Sequence, residues 1–350
     1  MLKGFRMPGE WEKQKSVWIV WPYNKKDWPG LFNKIPEVIS KIVCNLSINQ
    51  TVNLIIKTNK DKARIKQELK KFKNDLSKIK FHQILTNRIW IRDNGPLFLI
   101  NNKKGEKIIL NFSFNGWSKY NDYQKDNKIN AKIAKLIKIK KIEPTIKVKK
   151  NLKKIVLEGG AIDVNGQGSI LLTRECFLSK VQERNPGVNK LNLENTLSKY
   201  FNLKNFIWLN KGIKGDDTHG HIDDIARFVS KNKIFIAKEN NKKDKNFKNL
   251  NENIKIINQF KKMNKEKLRI ICLPMPKPKF IEGVRVPASY LNFYIANKVV
   301  LIPAFDDPND KVVLKIFKKH FKKRKIIPIN CSTLVWGFGT LHCMTQQEPV

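Results

Sequence analysis

A mixed α/β fold with many short strands is what the sequence predicts, on three observations. Short runs rich in Ile, Val, Leu and Phe recur along the 350 residues. Longer stretches with apolar residues at helical spacing lie between some of them, and clusters of Gly, Asn, Asp and Pro punctuate the series. In order, strands are expected at 17–21, 52–56, 97–100, 108–112, 169–172, 225–229, 234–237, 270–273 and 299–302. Each is too short and too apolar to read as a surface helix. Amphipathic helices are expected at 35–48, 61–76, 131–137, 191–200 and 312–320. The polar, Lys- and Asn-rich stretch 239–253 is expected as a surface loop leading into a helix at 254–263. Asn165-Gly166-Gln167-Gly168 separates 161–164 from 169–173 and predicts a hairpin. No exact repeat is visible, but strand pairs and helices alternate loosely along the chain. The length allows one large domain or two ordinary ones.

Composition narrows the function classes. The chain carries 70 Lys and Arg against 30 Asp and Glu, a formal net charge of +40. Such a field attracts polyanions weakly and in a salt-dependent way. The Lys-rich segments at 70–73, 135–154 and 318–325 are not interleaved with stacking aromatics, and no helix-turn-helix, zinc-finger or RRM pattern is present. Solvated surface is therefore the expected role of this charge, with no specific nucleic-acid partner. The five cysteines (Cys44, Cys176, Cys272, Cys331, Cys343) are odd in number and form no C-x-x-C pair, against a disulfide framework or structural zinc. No secretory leader and no membrane span are expected, so the predicted location is the cytoplasm.

Four segments place polar catalytic residue types beside glycine among apolar strands. They are Trp90-Ile91-Arg92-Asp93-Asn94-Gly95-Pro96, Leu157-Glu158-Gly159-Gly160, the run from Gly215-Asp216-Asp217-Thr218-His219-Gly220-His221 to Ile222-Asp223-Asp224, and Gly337-Phe338-Gly339-Thr340-Leu341-His342-Cys343. Taken singly, each has a structural explanation. Cys343 could be an inert buried thiol, Asp93 an ion-pair partner of Arg92 or a turn former, and Glu158 a strand end. His221 could ligate a metal with His219 and His342, although no zinc spacing such as H-E-x-x-H is present. Together, a cysteine, a histidine and several acids on strand ends and glycine turns suit thiol-based covalent catalysis on a cation.

These segments resemble the agmatine deiminase and bacterial-type peptidyl-arginine deiminase family of guanidino-group-modifying enzymes. The resemblance spans nearly the whole chain, from Met7-Pro8-Gly9-Glu10-Trp11 and Trp18-Ile19-Val20-Trp21-Pro22, through Ala288-Ser289-Tyr290-Leu291-Asn292-Phe293-Tyr294-Ile295, to Leu341-His342-Cys343-Met344-Thr345-Gln346-Gln347-Glu348-Pro349. It implies a single catalytic domain over 1–350, folded as a pentein-like five-bladed α/β propeller of ββαβ-type units about a pseudo-fivefold axis. It implies Cys343 as nucleophile, His221 as general acid and base, Asp93 and Asp223 as guanidinium ligands, and Glu158 as the residue that orients His221. Trp90, Arg92, Asp217 and Gly339 are the implied substrate-binding residues, with Asp217 toward the far end of the substrate. His219 and Asp224 stand where the family often has other residues.

The implied reaction is hydrolysis of agmatine to N-carbamoylputrescine and ammonia, a step of putrescine and polyamine formation. Deimination of arginine or peptidyl-arginine, amidino transfer to an amine, and a catalytically idle basic binding protein are the alternatives. The expected partner is a small cationic guanidino compound, and homo-oligomerisation is compatible with the sequence. A guanidinium stays protonated up to a pKa of about 12.5 or more, and paired carboxylates suit its planar fork. Neither metal nor organic cofactor is expected, because thiol, imidazole and carboxylates cover every step. Carboxylates beside a thiol disfavour the thiolate, so the free Cys343 is expected to be a thiol that ionises with the cationic substrate. Only seven residues follow Cys343. They are expected to anchor it, so that short C-terminal truncations such as removal of Gln346–Val350 cost activity before stability.

Overall fold

The computed structural model describes residues 2–72, 75–265 and 267–350. The chain divides into two compact units, Met1–Gly9 with Asp93–Cys272, and Glu10–Arg92 with Leu273–Val350. Both are mixed α/β, as the sequence predicts.

The first unit repeats one motif. Strands Leu97–Asn101 and Glu106–Leu110 pair antiparallel, the helix Ile129–Leu136 follows, and Lys141–Ile142 returns parallel to the second strand. Asp163–Val164 and Ser169–Thr173 form the expected hairpin, helices Arg174–Leu178 and Lys190–Phe201 follow, and Asn205–Leu209 returns parallel. Ala226–Ser230 and Lys233–Lys238 pair antiparallel, then the helix Phe247–Met263 leads to the strand beginning at Arg269. A hairpin Thr145–Val148/Asn151–Lys154 lies outside the repeat. The hairpin turn before Ser169 is built as its sequence requires. Gly166 and Gly168 take positive φ, and the Asn165 side chain accepts from the N–H groups of Gln167 and Ser169. Leu97, Leu99, Leu110, Ile155, Ile170, Leu172, Leu197 and Phe201 form one core beneath these strands. Each such side chain contributes roughly 1.5–3 kcal/mol by leaving water.

The second unit carries the motif twice. Tyr294–Ile295 and Val299–Ala304 pair antiparallel, and Lys325–Asn330 returns parallel after the helix Pro308–His320. That helix starts on a reciprocal capping box of Asp307 and Asp310, with Pro308 at its first turn and Lys318, Lys319 and His320 at its last. The remaining sheet orders Gln346–Pro349, Gln14–Val20, Thr51–Ile56 and Ile79–Gln83, with helices Ile35–Ser47 and Asp61–Lys70 as crossovers. The C-terminal strand is therefore paired along the strand Gln14–Val20 and wholly buried, which makes it part of the sheet.

Several expected boundaries shift. The helix expected at 254–263 begins at Phe247, so the polar stretch before it is half helical. Part of the helix expected at 61–76 falls on Lys73 and Asn74, outside the described residues. Asp93 lies in the short helix Ile91–Asn94 and not on a strand end. No helix among the described residues is long and apolar enough to cross a membrane.

Candidate active site

In the first unit, four predicted residues come together around one glycine. A Cβ placed on Gly160 would lie 2.7 Å from Asp93 Oδ1, 2.7 Å from His221 Nδ1 and 3.0 Å from Asp223 Oδ2. The two carboxylates and the imidazole thus converge on the space that the absent side chain leaves. The Gly160 amide donates to Asp93 Oδ1 at 3.1 Å, and Trp117 Nε1 donates to Asp93 Oδ2 at 2.9 Å. Glu158 precedes the turn Gly159–Ala161 in extended conformation, and its Oε2 is 3.6 Å from His221 Nε2. Asp93 Oδ1 is 3.6 Å from the other ring nitrogen. The imidazole is flanked by acids on both edges, and all four side chains are buried.

The loop before His221 is fixed by Asp216. Its carboxylate accepts from the backbone N–H of Thr218 (2.8 Å), Gly220 (2.6 Å) and His221 (3.1 Å), and from the Thr218 hydroxyl (2.6 Å). His219 and Gly220 both take positive φ, and a Cβ on Gly220 would meet Glu175 at 3.0 Å. Asp216 is thus committed to building the loop.

Burial is the largest influence on these charges, and neighbours decide its outcome. Burial pushes the Asp93 carboxyl up, as do the charges of Asp223 and Glu158 against the pull of His221, and it settles at about 6. For Glu158, burial is outweighed by the Arg184 guanidinium and by His221, and its pKa falls to about 2. Arg184 Nε donates to Glu158 Oε1 at 3.1 Å, and its other nitrogens donate to the carbonyls of Gln182 and Thr218. For His221, burial opposes the charged form, but the Asp93 carboxylate, the Cys176 side chain and Glu158 raise its pKa well above the usual histidine range. Carboxylates on both edges thus favour the imidazolium form of His221.

The second unit holds the predicted nucleophile. Cys343 is buried just before the C-terminal strand. Asn292 Nδ2 donates to its Sγ at 3.1 Å, while Asn292 Oδ1 accepts from the Thr340 hydroxyl (2.8 Å) and from the backbone N–H of His342 (3.0 Å) and Cys343 (3.3 Å). One amide side chain therefore holds both the sulfur and the turn that carries it. Gly339 packs where a Cβ would lie 2.8 Å from the Trp90 ring and 3.1 Å from Cys343 Cβ, so glycine lets the indole approach the nucleophile's turn. Trp90 is backed by Trp28, with ring centroids 5.6 Å apart.

Two substrate-binding expectations meet competing partners. Arg92 is buried with its guanidinium committed to Glu10 (3.3 Å), the Gln347 side chain (2.8 Å) and the His342 carbonyl (3.3 Å), while its amide donates to the Cys343 carbonyl (3.0 Å). It braces the segment that carries Cys343, and these partners occupy its guanidinium. Asp217 has one carboxylate oxygen paired with Lys119 and the other bonded to Tyr120 Oη at 2.7 Å. A substrate ammonium at Asp217 must displace Lys119.

The histidine trio does not assemble as a metal cage. His219 Nε2 lies 3.0 Å from Ser179 Oγ, and His342 Nε2 lies 2.9 Å from Glu10. Asp224 is buried beside Asp223. A different group, Glu158, Cys176 and His221, brings three donor atoms within 4.8 Å of one another. Sequence reasoning missed Asn292, Arg184, Trp117 and Cys176. Asn292 lies in Tyr290-Leu291-Asn292-Phe293-Tyr294, where a lone polar residue inside an apolar run was the available signal. Arg184 had none.

One unit thus carries a carboxylate-flanked imidazole with acids converging on a glycine, the other a buried thiol, and both are mixed α/β, the residue types of an enzyme acting on C–N bonds of amidines. More particularly, the chain belongs to the Porphyromonas-type peptidyl-arginine deiminase family, whose family model matches residues 6–349. A Latilactobacillus sakei protein provisionally named an agmatine deiminase is 30% identical, over 99% of this chain and 96% of its own. The structure of a C. jejuni agmatine deiminase, a cysteine-to-serine variant with substrate bound, is similar at a TM-score of 0.85 and 30% identity, covering 98% of this chain and 96% of that one. An Enterococcus faecalis agmatine deiminase structure matches at a TM-score of 0.87 and 28% identity, over 99% and 96%.

Proposed function

We propose that the chain is an agmatine deiminase, hydrolysing the guanidinium of agmatine to N-carbamoylputrescine and ammonia. The observation that carries this reading is the convergence of Asp93, Asp223 and His221 on Gly160. Two carboxylates facing one space suit the two N–H edges of a guanidinium, and a protonated imidazole beside them can supply a proton. The kinship with agmatine deiminases supports the choice of substrate.

Asp93 and Asp223 hold the planar cation, and fixed orientation of this kind is worth up to roughly 7–11 kcal/mol in ideal cases. Cys343 loses its thiol proton to solvent as the cation binds, its sulfur forms a bond to the guanidinium carbon, and the C–N bond to the leaving nitrogen breaks as that nitrogen takes a proton from His221. Ammonia departs and leaves a thiouronium. His221, now neutral, takes a proton from water as the water oxygen bonds to the same carbon. The hydroxyl proton of the adduct passes to sulfur as the C–S bond breaks, and the ureido product and the Cys343 thiol are released. Glu158, kept ionised by Arg184, holds the imidazolium form of His221 between turnovers. Trp90 supplies an apolar wall, and Asp217, once Lys119 yields, takes the distal ammonium. General acid–base assistance of this type typically contributes roughly 10²–10⁴-fold.

The same reading includes residues 1–350 as one catalytic domain, the ββαβ motifs as blades of a closed five-bladed propeller, and a cytoplasmic location with no specific nucleic-acid partner. A substrate panel of agmatine, arginine and an arginine-containing peptide tests it, with ammonia and ureido product both measured. Agmatine should turn over fastest, and Cys343→Ala should abolish turnover with the fold intact. Turnover of the peptide without agmatine would shift the assignment to peptidyl-arginine deimination, the activity in the family's name.

A further inference from the structure

We propose that Glu158, Cys176 and His221 form a Zn²⁺ site whose occupation silences the reaction. The silencing rests on His221 being the proton carrier; the binding does not.

The three donor atoms lie within 4.8 Å of one another, and all three side chains are buried. Glu158 Oε2 is 3.6 Å from His221 Nε2. Ligands at about 2.0–2.3 Å from a tetrahedral Zn²⁺ stand roughly 3.3–3.7 Å apart, so that separation is already an edge of the required polyhedron. Glu158 Oε2 and both ring nitrogens of His221 are buried without a hydrogen-bond partner. Buried polar groups are ordinarily satisfied, and a Zn²⁺ that displaces the Nε2 proton of His221 and the Cys176 thiol proton to solvent would satisfy Glu158 Oε2 and Nε2 at once.

Local structure fixes the third ligand. Cys176 sits in the short helix Arg174–Leu178, whose first turn is capped by Thr173, and the Thr173 hydroxyl accepts from the Cys176 amide (3.1 Å) and donates to the Gly220 carbonyl (2.6 Å). One threonine thereby ties the cysteine's helix to the residue before His221. The donor set of thiolate, imidazole and carboxylate is the mixture Zn²⁺ favours, and the fourth position would fall to water. Arg184 occupies only Oε1 of Glu158 and leaves Oε2 toward the ring. Asp93 and Asp223 add negative charge at the opposite edge of the imidazole. Zn²⁺ bound to Nε2 leaves Nδ1, the nitrogen on the Asp93 edge, as the ring's N–H, so the imidazole has no free lone pair to accept a proton from water and His221 can no longer complete the second half of the cycle.

The test reads the metal directly. Purified full-length protein is incubated with Co²⁺ alone, a spectroscopic substitute for Zn²⁺, long enough to load a buried site. A cysteine-thiolate charge-transfer band should appear in the unmodified protein and in Cys343→Ser, be absent from Cys176→Ser, and vanish when Zn²⁺ is added. Zn²⁺ should slow alkylation of Cys176 in the unmodified protein, followed by mass spectrometry, which keeps the test decisive if Cys176→Ser folds poorly. In turnover, Zn²⁺ should suppress ammonia release and a chelator restore it. Cys176→Ser, read against its own metal-free rate, should be at least ~10-fold less sensitive, since even outer-shell changes cost 10–100-fold in metal affinity. A band that survives Cys176→Ser, a band lost in Cys343→Ser, or no band at all overturns the site. A Cys176-dependent band in a protein that turns over no guanidino compound leaves the site standing and removes the catalytic reading.

Discussion

At the residue scale, burial works against the charges that the reaction needs. Asp93 illustrates the sign. Its folded pKa, about 6, lies above the ordinary 3.8, so the folded protein holds this proton more tightly than the unfolded chain. The resulting stability is complete below the ordinary value and is lost as pH rises through about 6. Above that, the ionised carboxylate costs up to about 3 kcal/mol. Asp93→Asn should therefore raise stability by about 1–3 kcal/mol at pH 7–8, with the gain shrinking as pH falls below 6, and should abolish guanidinium turnover. Denaturant titrations at several pH values check this; a variant less stable at pH 8 would contradict it. Asn292 makes the opposite case, a neutral residue whose value is geometric. Removing its bond to Cys343 and its hold on Thr340 and His342 should cost about 1.5–3 kcal/mol of positioning, or roughly 10- to 100-fold in kcat. The readout is a fall in kcat and in the rate of Cys343 alkylation, with the circular dichroism unchanged. The grouping of Asp93, Glu158 and His221 was legible in the sequence because catalytic residue types beside glycine stand out among apolar strands. Arg184 was not, because its meaning depends on Glu158, 26 positions away, which only the folded chain brings within 3.1 Å.

At the element scale, the C-terminal strand changes an expectation about the tail. Gln346–Pro349 has no apolar run to announce a strand, since its side chains are buried by partners on Gln14–Val20 and by Arg92. Ser16 donates to Glu348 at 2.7 Å, and Arg92 donates to Gln347 at 2.8 Å. Deleting Gln346–Val350 removes a ladder and leaves buried donors unpaired, each worth about 1–3 kcal/mol. Stability and activity should therefore fall together, seen as a lower melting temperature alongside lost turnover. Lost turnover at an unchanged melting temperature would restore the simpler role of the tail as an anchor for Cys343. Ile79–Gln83, Asn205–Leu209 and Lys325–Asn330 were likewise hard to read. They are short returning strands, two of them with exposed polar positions, and their pairing with a largely buried neighbour supplies what their own pattern lacks. The hairpin before Ser169 was legible, because Asn and Gly encode its turn locally.

At the scale of the whole molecule, the alternation of strand pairs and helices was visible in the sequence as a loose rhythm, and the structure resolves it into a recurring ββαβ unit. The returning strand of each unit pairs with one far back in the chain, across a helix, and no local pattern carries that contact. The net charge of +40 is also a property of the whole chain, and it opposes the proposed substrate, a dication. Encounter is then retarded at long range and favoured only close to Asp93, Glu158 and Asp223. Salt separates the two contributions, because the screening length falls from roughly 30 Å at 0.01 M to about 8 Å at 0.15 M. Over that interval the long-range repulsion is removed first, while contacts among buried groups persist. The kcat/KM for agmatine should therefore rise with added salt, while that for a neutral analogue stays flat. A steady decline would mean that the acids govern the approach from afar and that the lysines, though numerous, contribute little to the field the substrate meets.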